Sequence, residues 1–457
     1  MKLKVYKYAL PLVAVLGLAS CSEDPLDLQP LSDIGGNGYY QNGDEVESGV
    51  VAIYDGLQQL PMREFALTEM RSDNTRTKSS EGDWAQFQDY NVAPTNVVIS
   101  SYWADNYNVI FRANVVLANL DVVEDAGAAA QFEGEAKFAR ALAHFNLVRA
   151  YGDVPMVDRV IIQSDTDYFD RDPVATVMGQ IEADLADAAG LLPGNSDMIY
   201  GRASQGAAQA LLAKVHLTNG NYSAAQSLLE TVINSGEYAL EEDYADVFYS
   251  EGNDEVIFAI PYLNDDAVES QDFSFEMTAG GQASGLNYLT DDFKGFMDIA
   301  DTERGATLVN PLDPNETGKF ISSSSDARLC GNDWIVLRLA DVYLMHAEAI
   351  LAGNNTTTDV DAITSYNATR ERAGLTPLAT DGSETLTKPL LMAERRVELA
   401  FENHRLYDLI RMGEASDVLN AFAAAEGHNF TPTDLLLPIP QAEINVSGGA
   451  LTQNPGY

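Results

Sequence analysis

The chain has 457 residues, enough for one large domain or two to three ordinary ones, because single hydrophobic cores stop growing at about 250 to 300 residues. With 46% hydrophobic, 21% charged and 9% aromatic residues, it is neither disordered nor a polytopic membrane protein. Its 27 Lys and Arg stand against 69 Asp and Glu, and a net charge of −42 repels a phosphate backbone, which excludes a nucleic-acid partner.

Lys2, Lys4 and Lys7 form a basic N-terminal region, and the apolar run from Ala9 to Ala19 is shorter than the about 20 residues of a membrane span. Residues 1–20 therefore read as an export signal. It ends in Leu18-Ala19-Ser20-Cys21, which resembles a bacterial lipobox: cleavage before Cys21 and acylation of its sulfur, with palmitate among the acyl chains, are expected. Loss of three lysines and no acid takes the charge from −42 to −45. With Cys21 acylated, Cys330 stands alone and no intramolecular disulfide forms. Residues 21–40, rich in Gly, Asp and Pro, read as a tether, and residues 41–457 as a single domain.

From about Ser48 the pattern is mainly helical. Phe138, Leu142, Phe145 and Val148 recur at spacings of four and three, which places them on one helical face, and Gly152-Asp153-Val154-Pro155 stops that helix. Asp172-Pro173 predicts an N-cap followed by Pro at the first helical position, with a helix running to Leu192. Residues 203–235 form a helix, a tight turn at Gly220 and a second helix, at the offsets of a tetratricopeptide repeat. Leu339 to Ala349 with Val360 to Arg372 is a second such unit. The pairs 102–120 with 132–151, and 388–413, read as degenerate copies. The expected fold is mainly α, a tetratricopeptide-like solenoid of about four helix pairs, since stacking is what buries each pair's apolar face. Residues about 61–100 and 237–335 are rich in Gly, Ser, Asn and Asp, with strand-like runs such as Val256 to Ile260, and read as long loops that carry binding.

No nucleophile elbow, zinc-protease helix or paired Cys motif is present, and Gly280-Gly281 with Gly285 lacks the Lys of a phosphate loop. His144, His216 and His346 sit in helices beside packing residues and read as hydrogen-bonded core histidines. Glu398 and Glu402, spaced i, i+4, admit acid–base or metal chemistry. Arg395, Arg396, Arg405 and Arg411 lie within two turns of them, so buried ion pairs between helices account for the same residues.

Several stretches together resemble the SusD/RagB family. They are Trp103 to Asn114, Glu135 to Leu142, Tyr151 to Pro155, Arg338 to Met345, Glu394 to Arg411, Leu436 to Pro440 and Leu451 to Tyr457. The resemblance implies an outer-membrane lipoprotein exposed on the cell surface that captures a poly- or oligosaccharide and caps a SusC-like TonB-dependent transporter as a hinged lid, with no catalysis and no cofactor. At 457 residues the chain is short for that family, which implies trimmed loops.

A neutral sugar needs an aromatic platform flanked by planar polar groups. The stretch from Arg71 to Gln86 supplies Arg71, Asp73, Asn74, Arg76, Trp84 and Gln86, with Trp84 as the platform. Tyr288 and Phe275, with Phe273, are candidates for the opposite wall. Trp103 and Trp334 each begin a family motif and are expected in the core. The charge favours a neutral polymer, laminarin or else fructan. The alternatives are a surface glycoside hydrolase, for which the sequence singles out no carboxylate pair, and a tetratricopeptide-type scaffold for a peptide.

Overall fold

The computed structural model describes residues 38–78, 82–162, 164–278, 286–297 and 299–457. The export signal, Cys21, most of the tether and the Gly280-Gly281-Gly285 loop lie outside the described residues.

Side-chain caps start the long helices. Helix α1 (Gly43–Leu57) is capped by Asn42 and buries Val46, Val50, Ile53 and Leu57 along one face. Two short helices follow, α2 (Pro61–Thr68) and α3 (Gly82–Gln88). Asn96 accepts the Val98 and Ile99 N–H groups at the start of α4 (Val97–Leu117), and Asp125 does the same for Gly127 and Ala128 in α5 (Ala126–Tyr151). Helix α5 stops at Gly152, where φ is 75° and an added Cβ would stand 2.9 Å from Leu436 Cδ1, so the position requires glycine on both counts. Helix α6 (Val174–Leu191) starts one residue later than the sequence predicts: Pro173 is its N-cap rather than its first turn. The expected helix pair is α7 (Gln205–Thr218) with α8 (Tyr222–Asn234).

Residues 235–338 hold four short helices among the described residues: α9 (Asp246–Tyr249), α10 (Phe273–Thr278), α11 (Asp291–Phe296) and α12 (Thr302–Leu308). The C-terminal part contains α13 (Leu339–Leu351), α14 (Val360–Arg372), α15 (Lys388–Glu398), α16 (Arg405–Arg411) and α17 (Ala415–Glu426). The strands form antiparallel pairs: β1 (Thr75–Thr77) with β3 (Asn287–Leu289), β2 (Val256–Ile260) with β4 (Trp334–Arg338), and β5 (Thr356–Thr357) with β6 (Leu386–Thr387).

Helices α1, α4, α5, α6, α7, α8, α13 and α14 pack each against the next, which is the expected helix-pair solenoid. Two long excursions leave it, residues 58–96 between α1 and α4 and residues 235–338 between α8 and α13. The β1–β3 ladder joins one excursion to the other. The two stretches read as loops thus carry short helices and strands of their own. The C-terminal motif is a strap across the end of α5: Leu437 N–H donates to Ala150 O at 2.8 Å, and Asn454 Nδ2 donates to Tyr151 O at 2.9 Å and Leu437 O at 2.7 Å. Trp103 and Trp334 are each 3% exposed, in the core as expected.

An ion network lies at the root of the second excursion. Arg338 bonds Glu255 at 2.8 Å, Glu398 at 2.7 Å and Glu402 at 2.7 Å. Arg304 holds Asp301, Glu394 and Glu398, Arg372 holds Glu255 and Glu398, Lys319 holds Glu402 at 2.6 Å, and Arg370 reaches Glu394 at 3.3 Å. The ion-pair reading of Glu398 and Glu402 is therefore correct, but their cations are not the neighbouring arginines. Arg395 pairs with Asp341 and Asp408, Arg396 and Arg405 pair with Asp73, and Arg411 pairs with Glu348 and Asp408. The reason is that α15 ends at Glu398, and the chain then turns through Phe401 and Asn403, both at positive φ. Glu402 thus lies beyond the helix, yet it and Glu398 both converge on Arg338.

Burial raises the Glu398 carboxyl, but Arg372, Arg338 and Arg304 outweigh it and hold the group well below the usual range. Asp408 is held low by Arg395 and Arg411 against the same burial. Glu69 is the opposite case: burial pushes it up to about 8, Oε1 accepts the Asn403 N–H at 3.0 Å, and Oε2 has no partner.

Arg338→Met leaves three buried carboxylates without their shared cation and is expected to lower the unfolding free energy by about 3 to 5 kcal/mol, read from urea denaturation. Depressed carboxyls stabilise fully above their unfolded pKa, about 4, and lose that contribution as pH falls through their folded values, so stability drops on acidification. Glu69, raised, stabilises fully below about 4 and loses that contribution as pH rises toward about 8. Glu69→Gln is accordingly expected to exceed the wild type in urea midpoint at about pH 9, and the two are expected to converge near pH 4.

Candidate functional site

Trp84 is the third residue of α3, and its polar neighbours fix that helix to the start of α4. Asp83 O accepts Asn96 Nδ2 at 2.8 Å, and Gln86 Oε1 accepts the Ala93 N–H at 2.9 Å and Asn96 Nδ2 at 3.1 Å. Gln86 is thus engaged in holding the backbone. Trp84 is half-buried, with part of its ring on the core and the rest lining an open cleft of about 440 Å³.

The cleft lies where the two excursions face each other. Gln59, Met62 and Arg63 come from the first, and Ser270, Asp272 and Arg328 from the second. The Arg328 guanidinium lies 4.4 Å from the centre of the Phe275 ring, which is itself 8% exposed. Arg328 Nη1 donates to Glu276 Oε1 at 2.5 Å and lies 3.8 Å from Asp272. Arg63 pairs with Asp105 at 2.8 Å. Each of these cations has a carboxylate, so the lining presents planar amide, carboxylate and guanidinium groups with little net charge. An indole face beside such groups matches the apolar C–H face and hydroxyl rim of a sugar.

The other residues of the Arg71 to Gln86 stretch are placed elsewhere. Arg71 is buried and donates to Leu67 O at 3.1 Å and to Asp434 O. Asp73 accepts two bonds of 2.8 Å from Arg405 and lies 3.1 Å from Arg396, while Asn74 Oδ1 accepts Arg396 Nε at 2.9 Å. Burial raises the Asp73 carboxyl, yet Arg405 and Arg396 bring it below its ordinary value. Asp73 and Asn74 lock the excursion to α15 and α16, and Arg71 ties it to Asp434. Arg76 and Tyr288 are direct partners in the β1–β3 ladder, with the guanidinium 5.1 Å from the ring and the Lys78 ammonium 4.6 Å from it. That register puts Tyr288 beside Arg76, and neither Tyr288 nor the buried Phe275 lines the Trp84 cleft; Phe273 and Arg328 do, with Phe275 behind the Arg328 guanidinium.

Sequence reading missed Met62, Arg63 and Arg328. Arg63 looks like a solvated helix residue, and Arg328 is more than two hundred residues from Trp84. The one available signal was an Arg within a Ser, Asp and Gly loop.

Other chemistry is accounted for by packing. Glu398 and Glu402 are buried, which keeps a sugar from reaching them. His144 is 1% exposed; its Nε2 accepts the Val157 N–H at 3.3 Å, and burial, with Arg140 nearby, pulls it down to about 4. Among the described residues, no three His, Cys, Asp or Glu side chains are grouped so as to hold a metal ion, and no helix is long and apolar enough to cross a membrane.

Two family models match the chain: the SusD family over residues 316–457, and the family described as starch-binding and associating with the outer membrane over residues 26–217. The SusD-like proteins P25 and P2 of Formosa agariphila are 26% and 27% identical, each over 100% of both chains. A solved laminarin binding SusD-like protein is 28% identical, with a TM-score of 0.77 over 92% of this chain and 100% of its own. Surface glycan-binding protein A from Bacteroides thetaiotaomicron, 23% identical, shares the fold at a TM-score of 0.76 over 91% of this chain and 100% of its own. The two solved structures are named for binding laminarin and a surface glycan. The two family models, which together match residues 26–217 and 316–457, and the relatives matched over their full length place the chain with the SusD/RagB family of SusD-like proteins.

Proposed function

We propose that the protein captures a neutral poly- or oligosaccharide in the Trp84 cleft at the cell surface and delivers it to a SusC-like TonB-dependent outer-membrane transporter, for which it acts as a lid. The observation that carries this reading is an indole held rigidly by α3, open on one side, and opposed by charge-compensated planar groups. Acylation of Cys21 anchors the chain in the outer membrane, in keeping with the family description.

Two features favour an uncharged glycan. The chain as a whole carries −42, and the cations facing the cleft are already neutralised by Glu276, Asp272 and Asp105. Among neutral polymers, the 28% identity to a laminarin binding SusD-like protein favours laminarin, with fructan second.

In affinity electrophoresis the mature protein is expected to be retarded by laminarin and to release no reducing ends from it. Trp84→Ala should weaken binding by about 25-fold or more, the loss typical of a central aromatic anchor, with helicity unchanged by circular dichroism. Undiminished retardation of that variant would remove the cleft from the proposal, and retardation by fructan alone would replace the substrate. The anchor has its own test: cells expressing the full chain should incorporate labelled palmitate into it, and Cys21→Ser should abolish the label.

A further inference from the structure

Beyond the cleft, two tyrosine rings are exposed although their hydroxyls are fixed. Tyr200 is 37% exposed, and its hydroxyl donates to Asp333 Oδ2 at 2.7 Å. Tyr249 is 46% exposed; its hydroxyl donates to Gly318 O and accepts the Ile321 N–H at 3.2 Å. A pinned hydroxyl removes the ring's freedom to turn away, so the wet part of each ring is a preformed surface. Preorganisation of this kind lowers the ordering cost of binding.

The two rings belong to one surface. A Cβ placed on Gly252, three residues after Tyr249, would lie 4.0 Å from Tyr200 Cδ2. A short chain of bonds links that place to the cleft. Asp333, which holds Tyr200, accepts the Tyr262 N–H at 2.9 Å; Tyr262 in turn donates to Gln58 O at 2.6 Å and packs its ring on Phe273 at 5.8 Å. Gln58 and Phe273 both line the Trp84 cleft. Gly201 brings Tyr200 to this place: φ there is 84°, and an added Cβ would stand 2.8 Å from Pro261 Cγ, so no other residue lets the chain approach so closely. Pro261 O accepts Gln58 Nε2 at 3.0 Å, which closes the connection to the cleft.

From this juxtaposition we propose that Tyr200 and Tyr249 form a second sugar platform, with the Asp333 and Glu251 carboxylates beside it to accept sugar hydroxyls. The inference rests on the reading of the Trp84 cleft as a glycan site and extends it. The cleft holds a short oligosaccharide, and the tyrosines engage the residues of a longer chain that leave it past Pro261. The ligand class is accordingly a polymer, recognised by length as well as by sugar type.

The test is calorimetric titration of the full mature protein with laminarin and with a short β-1,3-gluco-oligosaccharide. Tyr200→Ala combined with Tyr249→Ala is expected to weaken laminarin binding by about tenfold and to leave the short ligand unchanged, whereas Trp84→Ala weakens both. Tyr200→Phe, which keeps the ring and loses only the Asp333 bond that pins it, is expected to weaken laminarin binding less than Tyr200→Ala does. Equal loss for short and long ligands in the double variant overturns the second platform, as does no loss for either. A Tyr200→Phe loss as large as that of Tyr200→Ala overturns it too, because the hydroxyl bond and not the ring face then matters. A wild type that binds only fructan moves the same titrations to fructan and its short oligomers, whereas failure to bind either polymer overturns the functional reading and this inference with it, so the two failures are told apart.

Discussion

The structure depends on where the few positive charges go. In a chain with 27 cations against 69 acids, five cations, Arg304, Lys319, Arg338, Arg370 and Arg372, meet five carboxylates, Glu255, Asp301, Glu394, Glu398 and Glu402, in one network. Arg304 and Arg338 are each 1% exposed and Lys319 is 0% exposed, so these charges have lost their water and are held by each other. Desolvation makes such a network costly to assemble and more costly to break, since any one missing partner leaves an uncompensated charge in a poor dielectric. The network is itself charge-balanced, five against five, so the excess of acid stays with the rest of the chain.

The network also sets the cleft. Its members come from the strand before α13, from α12, from α14 and α15, and from the turn after α15, so it ties the second excursion to the end of the solenoid. A smaller cluster does the same for the first excursion, where Asp73 is gripped by Arg405 and Arg396, and Arg396 also reaches Asp292 at 2.6 Å. Two excursions fixed to neighbouring turns of the same helices face each other with little freedom, and Trp84 and Arg328 meet across the gap. Buried charge thus joins apolar packing in holding the two walls of the cleft.

Much of the scaffold was legible residue by residue. The spacing of Phe138, Leu142, Phe145 and Val148, and the Gly220 turn between two apolar helices, identify the repeat because helix pairing is a local pattern read at period 3.6. Trp84 was legible as well, for it sits among polar residues with no helical stripe to claim it. Its companions were not. Arg71, Asp73 and Asn74 look like a sugar-binding set in one loop, yet each is bound to a distant partner near Arg396, Arg405 or Asp434. Glu398 and Glu402 are brought together, but by Arg338 and not by a shared helical face, because the helix ends at Glu398.

By itself, the sequence determined the helical fold class, which follows from contacts between near neighbours along the chain, and its motifs carried the resemblance to the family. The exclusion of nucleic acid and the choice of Trp84 as platform are expectations that it raised from charge and from the polar residues around the indole. Tertiary structure decided which polar residues are buried in ion pairs and which face solvent, and therefore which of them stand beside Trp84. The physical reason is range: an arginine finds its carboxylate wherever folding places one at bonding distance, and for Arg328, Arg338 and Asp73 that choice is made between segments that sequence order holds far apart.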